Sequence, residues 1–123
     1  MAVSFPYSDV YNPPAPVVEV TIRARGEMVA QALLDSGADA TMIPFSILRT
    51  IGARFARTHL MRGVLGNAIT VELYFVELQI GSYKIPGVRA IAVESTEEVL
   101  IGRDALNQLI VTLDGIAGAV EIS

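Results

Sequence analysis

Leu33-Leu34-Asp35-Ser36-Gly37-Ala38-Asp39-Ala40-Thr41-Met42-Ile43-Pro44 runs an apolar strand directly into an acid, a hydroxyl residue and a glycine, and such a stretch occurs once in the 123 residues. A carboxylate set against its own apolar strand is costly to desolvate unless something pairs with it. A second acid that shares one proton would serve. With one copy of the stretch in the chain, that acid has to come from a second subunit. The ordinary alternative is an Asx-turn that closes a strand, a place where Asp, Ser and Gly are all favoured.

Outward from this stretch the pattern is of short strands and turns. Val18, Val20 and Ile22 alternate with Glu19, Thr21 and Arg23, the period-2 pattern of a half-buried strand. Arg25-Gly26-Glu27 reads as a hairpin turn and Met28 to Leu34 as its return strand. Ala38 to Pro44 is expected to be another strand, ended by its proline. Ile47, Leu48 and Ile51 suit one or two helical turns stopped at Gly52. Arg57 to Leu60 and Ile69 to Ile80 are expected to flank the glycine-bearing loop Gly63 to Asn67. Gly81-Ser82 reads as a second hairpin turn, followed by a strand from Tyr83 to Val93 interrupted at Pro86-Gly87. Val99 to Ile101 is a short buried strand. Leu106, Leu109 and Ile110 then give the one convincing helix, over Arg103 to Leu109. Val111 to Leu113 and Ile116 to Ile122 read as closing strands around an Asp114-Gly115 turn. The fold class expected is all-β with one short C-terminal helix. Residues 1–16 carry Pro6, Pro13, Pro14 and Pro16 and read as an extended arm before a domain over 17–123.

Composition narrows the chemistry. The net charge of −4 argues against nucleic acid, which asks for a basic stripe. There is no cysteine and one histidine, His59. No metal site or Ser/His or Cys/His nucleophile is therefore expected. The lack of cysteine suits a reducing cytosol, so a cytoplasmic location is expected. No run of about 18 apolar residues offers a membrane span. A hydrophobic share of 52% suggests either a Val/Ile/Leu-rich core or apolar surface kept for a partner.

Two segments carry a family resemblance. Leu33-Leu34-Asp35-Ser36-Gly37-Ala38-Asp39, followed by Val99-Leu100-Ile101-Gly102-Arg103-Asp104, resembles the paired signatures of retropepsins, the retroviral-type aspartic proteases. A glycine-bearing hairpin lies between them, where those proteases carry a flap. The similarity spans roughly Val17 to Leu113. It implies a closed β-barrel and a homodimer in which each subunit gives one aspartate to a shared site that hydrolyses peptide bonds. Carried over by position, Asp35 is the catalytic acid, Ser36 binds the opposite subunit's turn, and Gly37 lets an extended peptide approach. Ala38 and Asp39 would line the cleft, with Asp39 paired to Arg103. Met42, Val99 and Ile101 would be walls of the side-chain pockets. Met61 to Asn67 would be the flap, with Gly63, Val64, Leu65 and Gly66 at its tip. Asp104 is expected to cap the helix. The resemblance implies no cofactor.

This chain departs from the viral pattern in three places. Val64 and Asn67 replace further glycines, so a stiffer flap is expected. Arg62 stands where an apolar pocket residue is usual, which shifts expected specificity toward acidic or polar side chains. Pro16 and Val17 stand near the place of an arginine that pairs across the viral interface. Dimerisation is therefore expected to rest on apolar strands and termini, the tail Ile116 to Ile122 among them. Two other readings of the residues are a catalytically silent retropepsin-like dimerisation or peptide-binding module, and a plain β-barrel interaction domain.

Overall fold

The computed structural model describes residues 2–63 and 65–123. The expected flap residue Val64 lies outside the described residues. Ten strands and two short helices follow in chain order. They are β1 (Val3–Pro6), β2 (Val17–Arg23), β3 (Glu27–Leu34), β4 (Met42–Pro44), α1 (Phe45–Thr50), β5 (Arg54–Arg62), β6 (Ala68–Ile80), β7 (Tyr83–Val93), β8 (Val99–Ile101), α2 (Arg103–Leu106), β9 (Val111–Asp114) and β10 (Ala119–Ile122).

The main sheet has the order β2-β3-β8-β4-β7-β6-β5, and a β2–β6 pairing closes it into a six-stranded barrel with β5 appended. The length of β6 makes the closure possible. One of its edges serves β5 over residues 68–75 and then β2 over residues 77–79. Its other edge carries β7. The alternation read in β2 is obeyed, with Val18, Val20 and Ile22 all 0% exposed. Burial of such side chains contributes roughly 1.5–3 kcal/mol each. In β6 the buried set switches parity, from Leu73 to Val76, Leu78 and Ile80. The switch lies beside a register break in the β6–β7 ladder, where Leu78 faces Ile85 but Val76 faces Val88. Pro86 and Gly87 stand opposite the single Glu77, one residue in excess, so the expected interruption of the strand is a bulge.

Three expectations change. The strand expected over Ala38 to Pro44 shrinks to β4, because Ala38 O accepts from Arg103 N and Thr41 N donates to Asp104, both in α2. Thr41 meets the sheet through its carbonyl, which accepts from Ile91 N of β7. The single helix expected becomes two: the turns read at Phe45 to Ile51 form α1, which ends before Gly52 at φ +66°, and the helix expected over Arg103 to Leu109 is α2, Arg103–Leu106. The tail is a core strand within one chain: β10 lies between β1 and β9, with Val120 and Ile122 both 0% exposed. Ile116 stays outside it, in the turn. The N-terminal arm lies along its own domain through β1, with a further bridge between Ser8 and Ala15.

A core tail and an interface tail respond differently to truncation. Ile122→Ala is expected to cost about 2–5 kcal/mol of folding stability, read from urea unfolding. A change confined to subunit affinity would contradict its place in the core.

Candidate active site

Asp35 follows the last residue of β3 and is held there by a parallel neighbour. Leu34 is in register with Ile101 of β8, and the Asp35 amide donates to the Ile101 carbonyl at 2.9 Å. The Leu34 amide donates to Pro16 O at 3.1 Å, which ties the end of the arm to the same strand. Asp35 then closes its own turn. Its Oδ1 accepts from Gly37 N at 2.9 Å, and its carbonyl accepts from Ala38 N at 3.2 Å. This is the Asx-turn geometry that Asp and Gly favour. The carboxyl group is half-buried, while Ser36 and Gly37 are exposed.

Arg103 clamps the turn from the far motif. Its amide donates to Ala38 O at 2.9 Å, its Nη1 donates to Ser36 O at 2.7 Å, and its Nη2 pairs with the Asp39 carboxylate. The side chain of Asp39 is 90% exposed, so the ion pair itself adds little stability. The bond to the Ser36 carbonyl holds the turn in one orientation. The expected Asp39–Arg103 pairing is thus present within one chain.

Beneath the turn lies a contact that the sequence reading missed. Thr41 is 0% exposed, the one buried polar residue among those described. Its hydroxyl donates to Asp104 Oδ1 at 2.8 Å and accepts from Gly102 N at 3.3 Å. Its amide donates to the same carboxylate at 3.0 Å. Gly102, and not Asp104, holds the N-cap position; Asp104, in the first turn of α2, accepts from Ala105 N at 2.9 Å and with the same carboxylate reaches across 63 residues to Thr41. A signal was present in the chain. Thr41 shares strand parity with Ile43, so its hydroxyl had to be buried, and a buried hydroxyl needs a partner. Gly102 is required here by packing. A Cβ on it would stand 2.6 Å from the Ala40 carbonyl carbon.

The wall residues need correction. Val99 and Ile101 are 1% and 0% exposed and belong to the core. Strand parity puts Leu100 on the opposite face, in register with Leu33 and Met42. These three half-buried side chains form a row beside Asp35, continued by half-buried Ala38. Of the expected wall residues, Met42 is half-buried and faces the same way as Leu100, whereas Val99 and Ile101 have no surface to offer.

The β5–β6 hairpin ends in the loop 63–67, where Gly63 N donates to Asn67 O at 2.6 Å and Gly66 N to Gly63 O at 3.0 Å. Arg62 Nη1 donates to Gly66 O at 3.3 Å, bracing the tip with the guanidinium expected to face substrate. Leu65 at the tip is 88% exposed. Near the start of β8, Tyr11 donates to the Glu98 carboxylate, and this bond together with burial pushes the Tyr11 hydroxyl up to about 12. His59 is exposed on β5. Among the described residues no cluster of three or more His, Asp or Glu could hold a metal ion, and no helix is long and apolar enough to cross a membrane.

Residues 18–105 match the sequence profile of a family described as aspartyl protease. No curated protein sequence matches the chain. Among solved structures, a retropepsin-like aspartic protease from Rickettsia conorii superposes with a TM-score of 0.70 at 10% identity, covering 99% of this chain and 90% of that one. The EIAV protease complexed with the inhibitor HBY-793 gives 0.58 at 21% identity, over 76% and 86% of the two chains. The retroviral protease-like domain of Ddi1 from Leishmania major gives 0.51 at 18% identity, over 81% and 82%. The shared feature is the fold, a closed barrel of the retropepsin-like kind.

Thr41→Val keeps the shape of the side chain but removes the hydroxyl's bond to Asp104 and leaves the Gly102 amide without its acceptor, while the backbone amides of residues 41 and 105 still donate to the carboxylate. It is expected to cost about 1–3 kcal/mol of stability, measured by urea unfolding. An unchanged midpoint would mean that this contact does not support the turn.

Proposed function

The chain belongs to the aspartyl protease family, and on that premise we propose that it is a homodimeric endopeptidase. Water would be activated between two Asp35 carboxylates, one from each subunit. The observation that carries this reading is the pinned Asp35 turn. Backbone bonds to Ile101 and Ala38 and the Arg103 clamp hold one carboxyl group at a half-exposed strand end. A fixed carboxylate with room beside it suits acid and base work once a second joins it.

The chemistry follows from sharing one proton. The ionised carboxylate takes a proton from water as the oxygen attacks the scissile carbonyl carbon. The protonated carboxyl group supplies a proton, which ends on the leaving amine as the C–N bond breaks. Two carboxylates about 3 Å apart repel by about 5 kcal/mol at an effective dielectric near 20, which keeps the second proton on. With both groups protonated no base remains, and with both ionised no acid remains.

The remaining residues take supporting roles. Ser36 hydroxyls would bind the opposite turn, and Gly37 would let the peptide backbone approach. Ala38, Asp39, Leu33, Met42 and Leu100 would line the cleft. The tip from Gly63 to Gly66, with Leu65, would close over an extended peptide by strand-like hydrogen bonds. Closure of the hairpin would also keep bulk water out.

Cleavage of an unfolded protein is expected to follow a bell-shaped profile with its maximum near roughly pH 4–6. A statine-type inhibitor should block it. Asp35→Asn is expected to lower cleavage by at least about 100-fold while leaving the circular dichroism spectrum and the sedimentation coefficient unchanged. Cleavage retained in that variant would refute the dyad. A wild type inactive across this range would favour the silent peptide-binding module instead.

A further inference from the structure

The dyad needs a second copy of the chain, and the choice of the face it meets rests on that reading. The terminal strands are already taken. β10 is hydrogen-bonded along one edge by β1 and along the other by β9 of its own chain. An exchange of termini between copies would have to break pairings that one chain makes by itself, and would expose Val120 and Ile122, both 0% exposed.

Beside this sheet runs a groove of about 310 Å³, lined by Pro16, Leu34, Leu106, Leu109 and Leu113 with Ser36. No charged residue is among those that line it. Leu113 is 59% exposed, and the nearby Ile110 is 67% exposed. We propose that this groove is the two-fold contact with a second copy of the chain, and that β1, β9 and β10 stay paired within each copy.

Three observations favour a second copy as the occupant. Ser36 lines the groove and directly follows Asp35, so a copy that delivers its own Asp35 must approach here. A two-fold interface sets a patch against itself, so any charge on it would meet the same charge. In a chain of net charge −4 this groove is free of that penalty. Substrate is accommodated elsewhere. Leu33, Met42 and Leu100 project on the face of their strands opposite to Leu34, so peptide and partner do not compete for one surface.

The test combines sedimentation equilibrium with amide hydrogen exchange. Leu113→Glu is expected to raise the dimer dissociation constant on the order of 100-fold, with an unchanged urea midpoint. Ile110→Glu replaces it if that variant fails to fold. Dilution of the wild type to monomer should lower, without abolishing, amide protection at residues 106–113, which keep their bonds within the chain, and leave it unchanged at 119–122. Wild-type affinity in the folded glutamate variant, or loss of protection at 119–122, would overturn the groove contact. Cleavage is scored separately. A dimer that Leu113→Glu breaks, but that never cleaves, upholds the groove and removes the endopeptidase reading. A cleaving wild type whose Leu113→Glu variant still dimerises and cleaves removes the groove alone. A wild type that stays monomeric at high concentration overturns both.

Discussion

The last rung of the parallel β3–β8 ladder, Asp35 N to Ile101 O at 2.9 Å, is the bond around which this molecule is arranged. Parallel strands cannot be joined by a tight turn, so the chain between them must leave the sheet edge and return. Everything from β4 to β7, including the long β5–β6 hairpin, is that excursion. The crossover that makes the rung possible therefore also carries the segment proposed to cover the cleft. The return brings Gly102, Arg103 and Asp104 directly under the turn that Asp35 opens.

Two layers of polar contact then fix the turn, and they differ in strength. The outer one, from Arg103 to Ser36 O and Asp39, is exposed and screened. The inner one, from Thr41 to Asp104 and Gly102, is shielded from water, where an unmet hydrogen bond is costly. Both layers restrict the turn that carries Asp35, and a side chain proposed to share a proton with a symmetry mate tolerates little positional freedom. Strand parity divides the surroundings of the turn. One face of β3, β4 and β8 is core, with Leu34, Ile43, Val99 and Ile101 buried on it, and the other carries Leu33, Met42 and Leu100.

Much of this was readable along the chain wherever the deciding interaction is local. The alternation in β2, the hairpin turn after it, the helical turns stopped at Gly52 and the break at Pro86-Gly87 each depend on neighbours a few residues away. Readings failed where a distant partner decides. Ala38 to Thr41 has the composition of a strand, but Ala38 O and Thr41 N bond to α2, and Thr41 meets β7 through its carbonyl alone. Asp104 stands at a helix start and reads as a cap, and it does accept from Ala105 N there, yet the same carboxylate also takes the buried hydroxyl and amide of Thr41 from 63 residues away. Val99 and Ile101 were assigned to the cleft on the strength of their motif, although parity alone would have pointed to Leu100.

The amino-acid order by itself determined that this chain is all-β with a single Asp-Ser-Gly corner, because turn chemistry and period-2 patterning are local properties, while the closed barrel was implied by the family resemblance of its two motifs. Only the tertiary structure decided which face of each strand is core, that Thr41 and Asp104 meet, and that the tail strand is held between β1 and β9 of its own chain. The reason is physical. Register and burial depend on which distant segments pack together, and an isolated stretch carries no measure of what will shield it from water.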